Sequence, residues 1–237
     1  MPKWVPFLFR TAMKPYFETE LGKLYCGDCL EIMPEIEPVD LILTDPPYNA
    51  KKDYGEFKDN LSLEEYQNRI TRVAIEAQRI ANNQAWIAPR YQMAFYLSLF
   101  PKAHIIVVRR GARGPFRGGW SDQFETILVT GKPNKCEIDL WEDIRLKGEG
   151  YFFREDTFGH PGYTPYPILF RCAGLLSKTS VCDPYFGTGG TGVACEQLNR
   201  KWIGIEQEER WCEIAAKRIE HETQQLKLFG SNQCQKK

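Results

Sequence analysis

The chain has 237 residues, of which 43% are hydrophobic and 26% are charged, as is typical of a globular protein of one domain. Its 31 basic and 31 acidic residues cancel, so a polyanionic partner must be bound by a local basic patch. No segment approaches the roughly 20 apolar residues of a membrane span, and the N-terminal apolar run, interrupted by Pro6 and Pro15, does not resemble a signal peptide.

Short apolar strands alternate with helical patterns along the chain. The predicted strands are residues 23–26, 39–44, 84–88, 104–109, 124–130, 180–183 and 201–206. The predicted helices are residues 63–81, after the Ser62–Glu65 capping box, residues 192–198, and a helix from 208 toward 228. This alternation predicts an α/β fold: a mostly parallel, seven-stranded sheet with helices on both faces. Only residues 124–130 should run antiparallel, because a loop and not a helix leads to them.

Eight cysteines are scattered along the chain. Cys26 and Cys29 form a CxxC pair, which suits half a zinc site or a redox pair, but no second CxxC follows. Several of the others lie inside apolar runs, where cysteine behaves as a small hydrophobe. We therefore expect reduced structural thiols, no metal site and a cytoplasmic protein.

A glycine-rich segment, SVCDPYFGTGGTGVACEQL at 180–198, predicts a strand, a tight turn and the start of a helix. Glu206 ends the next strand about twenty residues further on, where a carboxylate accepts hydrogen bonds from ribose hydroxyls. No lysine follows Thr191 and Gly192, which argues against a P-loop. Asp183 at the mouth of the turn would repel phosphate but hold an ammonium group. The pattern therefore favours S-adenosylmethionine, which is cationic and carries no phosphate.

The segment LTDPPYNA at 43–50 ends an apolar strand in a rigid turn. The Asp45 side chain and the Pro46 carbonyl offer two hydrogen-bond acceptors, because Pro47 has no N–H, and the Tyr48 ring offers a face for stacking. An amino group of a flipped base supplies two matching N–H donors. Holding these donors out of the base plane directs the nitrogen lone pair at a sulfonium methyl. A simple proline turn explains the prolines but neither the acid nor the tyrosine.

DPPY, with DPYFGTGGTG downstream of it, resembles the amino-methyltransferases that act on DNA, in the β-class order with the catalytic motif first. The resemblance covers most of the chain and implies a Rossmann-like catalytic domain over residues 1–230, with a disordered tail at 231–237. It implies catalytic roles for Asp45, Pro46, Pro47 and Tyr48. It also implies cofactor contacts by Asp28, Asp45, His160, Asp183, Tyr185, Phe186, Gly187, Thr188, Gly189, Thr191 and Glu206. In HPGYTPYP at 160–167, Thr164 stands where the family usually has lysine, and Trp211 replaces its usual tyrosine.

The resemblance also bears on the target base. Aspartate at the head of DPPY favours adenine, because cytosine-specific relatives more often have serine there. We therefore expect methyl transfer from S-adenosylmethionine to the exocyclic amino group of adenine in DNA, with base flipping. The alternatives are a cytosine amino-methyltransferase, an RNA methyltransferase, or a non-catalytic nucleic-acid-binding domain of the same fold.

Two loops are candidates for DNA contacts. RRGARGPFRGG at 109–119 carries Arg109, Arg110, Arg113 and Arg117, and a second loop carries Lys51 and Lys52. Such charged, glycine-rich loops are also often only solvated. The region expected to recognise the DNA sequence, near residues 133–159, is short, so a lenient site or a homodimer would be needed. A restriction endonuclease is a further expected partner, in a bacterial, archaeal or phage-infected cell.

Overall fold

The computed structural model describes residues 13–55, 59–109, 124–135, 137, 139–141 and 159–233, with side chains through Leu228. Arg110, Arg113 and Arg117 lie outside the described residues, as does most of the expected recognition region. No helix of the described chain is long and apolar enough to cross a membrane.

The described strands form one sheet. They are β1 (Phe17–Glu18), β2 (Gly22–Cys26), β3 (Leu41–Thr44), β4 (Asn83–Ala88), β5 (His104–Arg109), β6 (Phe124–Thr130), β7 (Leu140–Trp141), β8 (Ser180–Asp183) and β9 (Lys201–Glu206). Their order across the sheet is β1-β2-β9-β8-β3-β4-β6-β5-β7. All neighbouring pairs are parallel except β1 with β2 and β6 with its two neighbours.

Helices cover both faces of the sheet. They are α1 (Cys29–Ile32), α2 (Leu63–Ile80), α3 (Met93–Leu99), α4 (Tyr166–Leu176), α5 (Gly190–Leu198) and α6 (Glu209–Gln233). Successive strand residues point to opposite faces, so Leu41 and Leu43 of β3 pack in the hydrophobic cluster of α4, α5 and α6. Ile42, between them, packs in the cluster of α1, α2 and α3.

The predicted fold is confirmed, with small differences at its margins. The seven predicted strands are present within two residues of their expected ends, and the antiparallel strand lies between β4 and β5. Two strands of two residues each, β1 and β7, extend the sheet at its edges and were not predicted, since so short a strand has no alternating pattern. Helix α6 continues to Gln233, three residues into the expected disordered tail, and residues 234–237 lie outside the described residues.

The centre of the sheet brings two distant parts of the chain together. Strand β3 pairs with β8 in parallel, with Leu41 opposite Val181. Just before β3, the Asp40 carboxylate accepts hydrogen bonds from the backbone N–H groups of Lys178, at 2.9 Å, and Thr179, at 2.5 Å. The chain crosses to one face after β3 and to the other after β8, so the carboxyl ends of these strands form the topological switch point at which ligands bind in such sheets.

Candidate active site

A cleft of about 870 Å³, counted to its open mouth, lies at the carboxyl ends of β2, β9, β8 and β3. Its walls come from the strand ends, the start of α5 and the segment 160–164. Nine of the predicted cofactor contacts line it, namely Asp45, His160, Asp183, Tyr185, Phe186, Gly187, Thr188, Thr191 and Glu206. Gly189 does not line the cleft, and Asp28 does not either.

The glycine turn between β8 and α5 has the backbone that its sequence predicts. Gly187 has a φ of 53° and Gly189 a φ of 79°, the left-handed region that favours glycine. A Cβ at Gly189 would lie 2.9 Å from the Ala215 Cβ, so this glycine also permits the close approach of α6. Gly189 shapes the turn and forms the N-cap of α5 without lining the cleft, and its predicted contact with the cofactor stays a prediction.

Asp183 is held at the start of this turn by two donors. Its carboxylate accepts hydrogen bonds from the Thr191 hydroxyl, at 2.6 Å, and from the Tyr185 backbone N–H, at 3.1 Å. Burial raises the pKa of Asp183 to about 7, against the opposing effect of these bonds. The cleft therefore contains a carboxylate that a cationic ligand group would stabilise in its charged form.

Glu206, at the end of β9, is tied to the same turn. Its two carboxylate oxygens accept hydrogen bonds from the backbone N–H groups of Gly187, at 2.8 Å, and Glu208, at 2.9 Å. Loss of hydration raises the pKa of Glu206 to about 6. Because each carboxylate oxygen can accept more than one hydrogen bond, Glu206 can still accept from a ligand in the cleft.

Asp28 lies beside the first cleft without lining it, so its predicted contact with the cofactor stays a prediction. Its carboxylate caps α1 through the Leu30 N–H, at 2.9 Å, and forms two hydrogen bonds with the Arg69 guanidinium, at 3.0 and 2.8 Å. Burial opposes the ionisation of Asp28, but the donors of Arg69 and Leu30 lower its pKa overall. Its neighbours Gly27 and Cys29 and its partner Arg69 line the cleft instead. The sequence could not reveal this, because Arg69 lies on α2, far along the chain.

His160 forms part of the opposite wall. Its ring packs against Trp211, with centroids 4.6 Å apart, and against Tyr54, with centroids 5.6 Å apart. The Gly162 N–H donates to its Nδ1 at 3.1 Å, and burial lowers the pKa of His160 to about 4. His160 is thus a neutral aromatic wall at neutral pH. Trp211, at the position of the family's usual tyrosine, supports that wall.

The DPPY segment follows β3, with Asp45 and Pro47 lining the cleft. The half-buried Asp45 carboxylate is the hydrogen-bond acceptor of two hydroxyl groups. Tyr48 donates to its Oδ1 at 2.5 Å, and Thr164 donates to its Oδ2. Loss of hydration raises the pKa of Asp45 to about 6, although both hydroxyls and Lys52 act to lower it.

A second cleft, of about 1020 Å³, opens on the other side of Asp45. Asp45, Gly162 and Tyr163 line both clefts, and the second is also lined by Tyr48, Lys52, residues 88–91, residues 124–126 and Pro161. The aromatic rings of Tyr48, Tyr91, Phe124 and Tyr163 are therefore grouped around it. Asp45 stands in the wall between a cleft lined by the glycine turn and a cleft lined by aromatic rings.

Asp59 organises the loop that follows the DPPY segment, which its sequence position did not indicate. Its carboxylate is only 3% exposed and accepts hydrogen bonds from the N–H groups of Asn49, at 2.7 Å, Ala50, at 2.9 Å, and Lys52, at 3.1 Å. Asn49 and Lys51 have φ values of 56° and 61°, a left-handed conformation that turns successive N–H groups toward one anion. The DPPY segment thus leads into a loop built around the buried carboxylate of Asp59.

The predicted basic contacts lie in different places. Lys52 lines the second cleft, with its Nζ 5.7 Å from the centroid of the Tyr48 ring, and Lys51 is exposed beside it. Arg109 is exposed at the end of β5. Among the described residues, only Lys52 of these three lines one of the two clefts.

The sheet order, the glycine turn with Glu206, and a DPPY segment at the switch point define a Rossmann-like methyltransferase. A sequence model described as DNA methylase, of the N6/N4 methyltransferase family, matches residues 39–161 and 139–217. The chain belongs to this family.

Sequence relatives are consistent with this assignment. The type II methyltransferase M.BamHI of Bacillus amyloliquefaciens is 26% identical over 92% of this chain, which spans 62% of the length of that relative. The type II methyltransferase M.HpaI of Haemophilus parainfluenzae is 25% identical over 84% of this chain and 74% of its own length.

Solved structures support the fold. The cytosine-N4-specific PvuII DNA methyltransferase superimposes with a TM-score of 0.68 at 18% identity, over 87% of this chain and 89% of its own. The M1.HpyAVI–SAM complex gives a TM-score of 0.59 at 19% identity, over 84% of this chain and 100% of its own. At these identities the likeness supports the fold and not the choice of target base.

Proposed function

We propose that this protein transfers the methyl group of S-adenosylmethionine to the exocyclic amino group of adenine in DNA, with the target base flipped out of the duplex. The observation that carries the proposal is the position of Asp45 in the wall shared by the two clefts. Methyl transfer requires the donor and the acceptor to lie next to each other. A carboxylate between the two clefts can hold the acceptor nitrogen of the base toward the cleft that binds the methyl donor.

The residues of the first cleft fit S-adenosylmethionine. Asp183 suits the ammonium group of its methionine part, and Glu206 suits the ribose hydroxyls. A Cβ at Gly187 would lie 3.4 Å from the His160 ring, so the absence of a side chain keeps this part of the cleft open. When bound, the cofactor supplies an electrophilic sulfonium methyl group.

The second cleft offers Asp45 and several aromatic rings to an amino group on a flat base. Asp45 is proposed to accept a hydrogen bond from one N–H. The proposed acceptor for the other is the carbonyl of Pro46, a buried residue that lies between Asp45 and Pro47 and lines neither cleft. Tyr48 holds the Asp45 carboxylate through its hydroxyl while its ring lines the cleft, available to stack on the base. These contacts hold the amino group by positioning and electrostatics.

The basic residues near this cleft are proposed to bind the DNA backbone. Lys52 lines this cleft, Lys51 is its exposed neighbour in the chain, and Arg109 precedes Arg110, Arg113 and Arg117 in sequence. Because the chain itself carries a short recognition region, we also propose that a second copy assists on DNA. A cognate restriction endonuclease remains a proposed partner.

Adenine is the proposed target because aspartate heads the DPPY segment. The family includes both adenine-N6 and cytosine-N4 methyltransferases, so a cytosine amino-methyltransferase is the second candidate.

The test is to incubate the protein with labelled S-adenosylmethionine and duplex DNA, single-stranded DNA or RNA, and to identify the methylated nucleoside after digestion. We expect N6-methyladenine from duplex DNA. Detection of N4-methylcytosine would show that the target is cytosine and not adenine. The proposal would be contradicted if no substrate yielded a labelled base. Asp45→Asn should abolish the product, while Asp53→Asn, in the neighbouring loop, serves as the matched control.

A further inference from the structure

The Asp45 carboxylate is held by two hydroxyls that come from distant parts of the chain. Tyr48 belongs to the same turn as Asp45 and bonds to Oδ1, whereas Thr164 follows it by 119 residues and bonds to Oδ2. Thr164 also lines the first cleft, just before the start of α4. Nothing in its immediate sequence indicates a part in the chemistry at Asp45.

We propose that Thr164 is a positioning residue for methyl transfer: its hydroxyl fixes the plane of the Asp45 carboxylate and favours the charged form that accepts a hydrogen bond from the target amino group. The inference rests on the proposed function and deepens it. It assigns to Thr164 an action through Asp45 and no contact with the reacting atoms.

Two hydrogen-bond donors fix the orientation of the Asp45 carboxylate, which a single donor does not. The terminal torsion of an aspartate side chain is broad, so a single hydrogen bond to Oδ1 leaves the carboxylate free to rotate about that contact. A second donor at Oδ2 fixes the plane and thereby the direction of the remaining lone pairs. The Tyr48 donor moves with the DPPY turn, and the Thr164 donor is anchored outside that turn.

Thr164 is itself well suited to hold a fixed position. Its β-branched side chain has few χ1 rotamers, and Pro165, which follows it, restricts its backbone to extended conformations. Pro165 is the N-cap of α4, whose Ile168 and Leu169 are buried in the core. The hydroxyl is therefore supported by a packed helix, so its removal should loosen Asp45 without unfolding the site.

The same hydroxyl affects the charge of Asp45. Loss of hydration raises the pKa of Asp45 to about 6, and the bonds from Thr164 and Tyr48 and the charge of Lys52 counteract that rise. The titratable groups that interact with Asp45 include Tyr48, Lys52, Tyr54, Tyr66, Tyr96 and Asp183, and the charged residues Arg90 and Glu125 line the second cleft with it. The pKa values of the four tyrosines are raised, so they stay neutral in acid, and Lys52 is the cation that acts on Asp45 among these residues.

Removing the Thr164 hydroxyl should therefore have two effects. The rate should fall because the carboxylate is less well oriented, and the pKa of Asp45 should rise, so that activity is lost at a higher pH as the solution is acidified. Asp183, whose pKa is about 7, titrates in the same range. Asp183 is coupled to Asp45 through their charges, but its own contacts with Thr191 and Tyr185 are the same in every variant. A midpoint that differs between variants therefore originates from the change at Asp45.

The experiment measures single-turnover methylation of duplex DNA from pH 5 to 9 for the wild type, Thr164→Val and Thr164→Ser, with the cofactor saturating at each pH. For Thr164→Val we expect a fall of about tenfold at neutral pH, the cost of one hydrogen bond to a charged group. We also expect the acid limb to move up by about half a pH unit or more. Thr164→Ser keeps the hydroxyl and should retain the wild-type midpoint.

A merely structural threonine would lower the rate without moving that midpoint. An unchanged midpoint in Thr164→Val, or an equal shift in Thr164→Ser, would overturn the inference. If Thr164→Val does not fold, as judged by its thermal melt, Thr164→Ala removes the same hydroxyl and replaces it in the comparison with Thr164→Ser. The same fall in rate and the same upward movement of the acid limb are expected, and an unmoved acid limb contradicts the inference. A wild type that methylates no nucleic acid would instead refute the proposed function.

Discussion

The buried carboxylate of Asp59 offers the sharpest test of how the loop after the DPPY segment is held. In Asp59→Asn the side chain keeps its shape but loses its charge. Its amide oxygen can replace only one of the two carboxylate oxygens, so its amide nitrogen, which is a donor, faces the backbone N–H groups that the other oxygen accepted from. In the present structure Oδ2 accepts from Ala50 and Lys52, at 2.9 and 3.1 Å, and Oδ1 from Asn49, at 2.7 Å. The variant therefore keeps at most part of this set.

The magnitude follows from the number of bonds lost. An amide oxygen in the place of Oδ2 keeps the bonds from Ala50 and Lys52, so the bond from Asn49 is the one lost. One hydrogen bond to a charged group contributes about 1.5–3 kcal/mol, so its loss, with two N–H groups brought face to face, should cost about 2–3 kcal/mol. If this free energy is lost from the ordered state of the loop, kcat should fall by about 30- to 150-fold. Cofactor affinity should change little, because Asp59 does not line the first cleft.

The assay is single-turnover methylation of duplex DNA, together with calorimetric titration of S-adenosylmethionine. Asp53→Asn is the matched control, because Asp53 lies in the same loop. Within the described chain, its carboxylate accepts one hydrogen bond, from the exposed N–H of Gly55 at 3.0 Å. A kcat for Asp59→Asn within twofold of the control would refute this account of the loop, as would an equal loss of cofactor affinity.

Three further predictions concern the two clefts and the sheet. Asp45→Ala should abolish turnover while S-adenosylmethionine still binds in calorimetry, and loss of binding would contradict the proposed division of roles. Because the pKa values of Asp183 and Glu206 are raised to about 7 and about 6, their charged forms are lost as pH falls through those values, so cofactor affinity should weaken below about pH 7 and further below about pH 6. Glu206→Gln should bind weakly throughout and show a shallower pH dependence in the same titration; an unchanged slope would exclude Glu206 as a ligand. Gly204→Ala places a Cβ 2.5 Å from the Phe186 ring and should destabilise the fold by about 1–3 kcal/mol in thermal unfolding. Gly174→Ala, whose Cβ would meet only Leu198 at 3.9 Å, should be neutral or stabilising, and an equal loss in both would refute the packing argument.

The central sheet was predictable because its strands have strong local patterns. The apolar runs that became β3, β4, β8 and β9 are buried on both faces, and their composition alone indicates strands covered by helices. The glycine turn was equally readable, because left-handed backbone at Gly187 and Gly189 needs glycine. Features that depend on residues close together in the sequence could therefore be predicted from the sequence.

The remaining features depend on partners that the sequence does not bring together. In the sequence, Asp59 is one of several acids in a polar loop. Only the folded backbone shows that its carboxylate accepts hydrogen bonds from the N–H groups of residues 49, 50 and 52. The place of Asp28 depends on Arg69, on another helix. The hydroxyl of Thr164 reaches Asp45 across 119 residues of chain. Each of these is a side-chain contact between separate elements, for which no periodicity exists.

The pairing of β3 with β8 has a consequence for how the molecule is made. Residues 41 and 181 are neighbours in the sheet. During synthesis, β3 can therefore pair with β8 only after most of the chain has left the ribosome. The acid of the DPPY segment and the turn that faces the cofactor are thereby assembled in one late, long-range step. A nascent or truncated chain that ends before β8 lacks one wall of the first cleft, so that cleft is complete only after β8 and its turn have been synthesised.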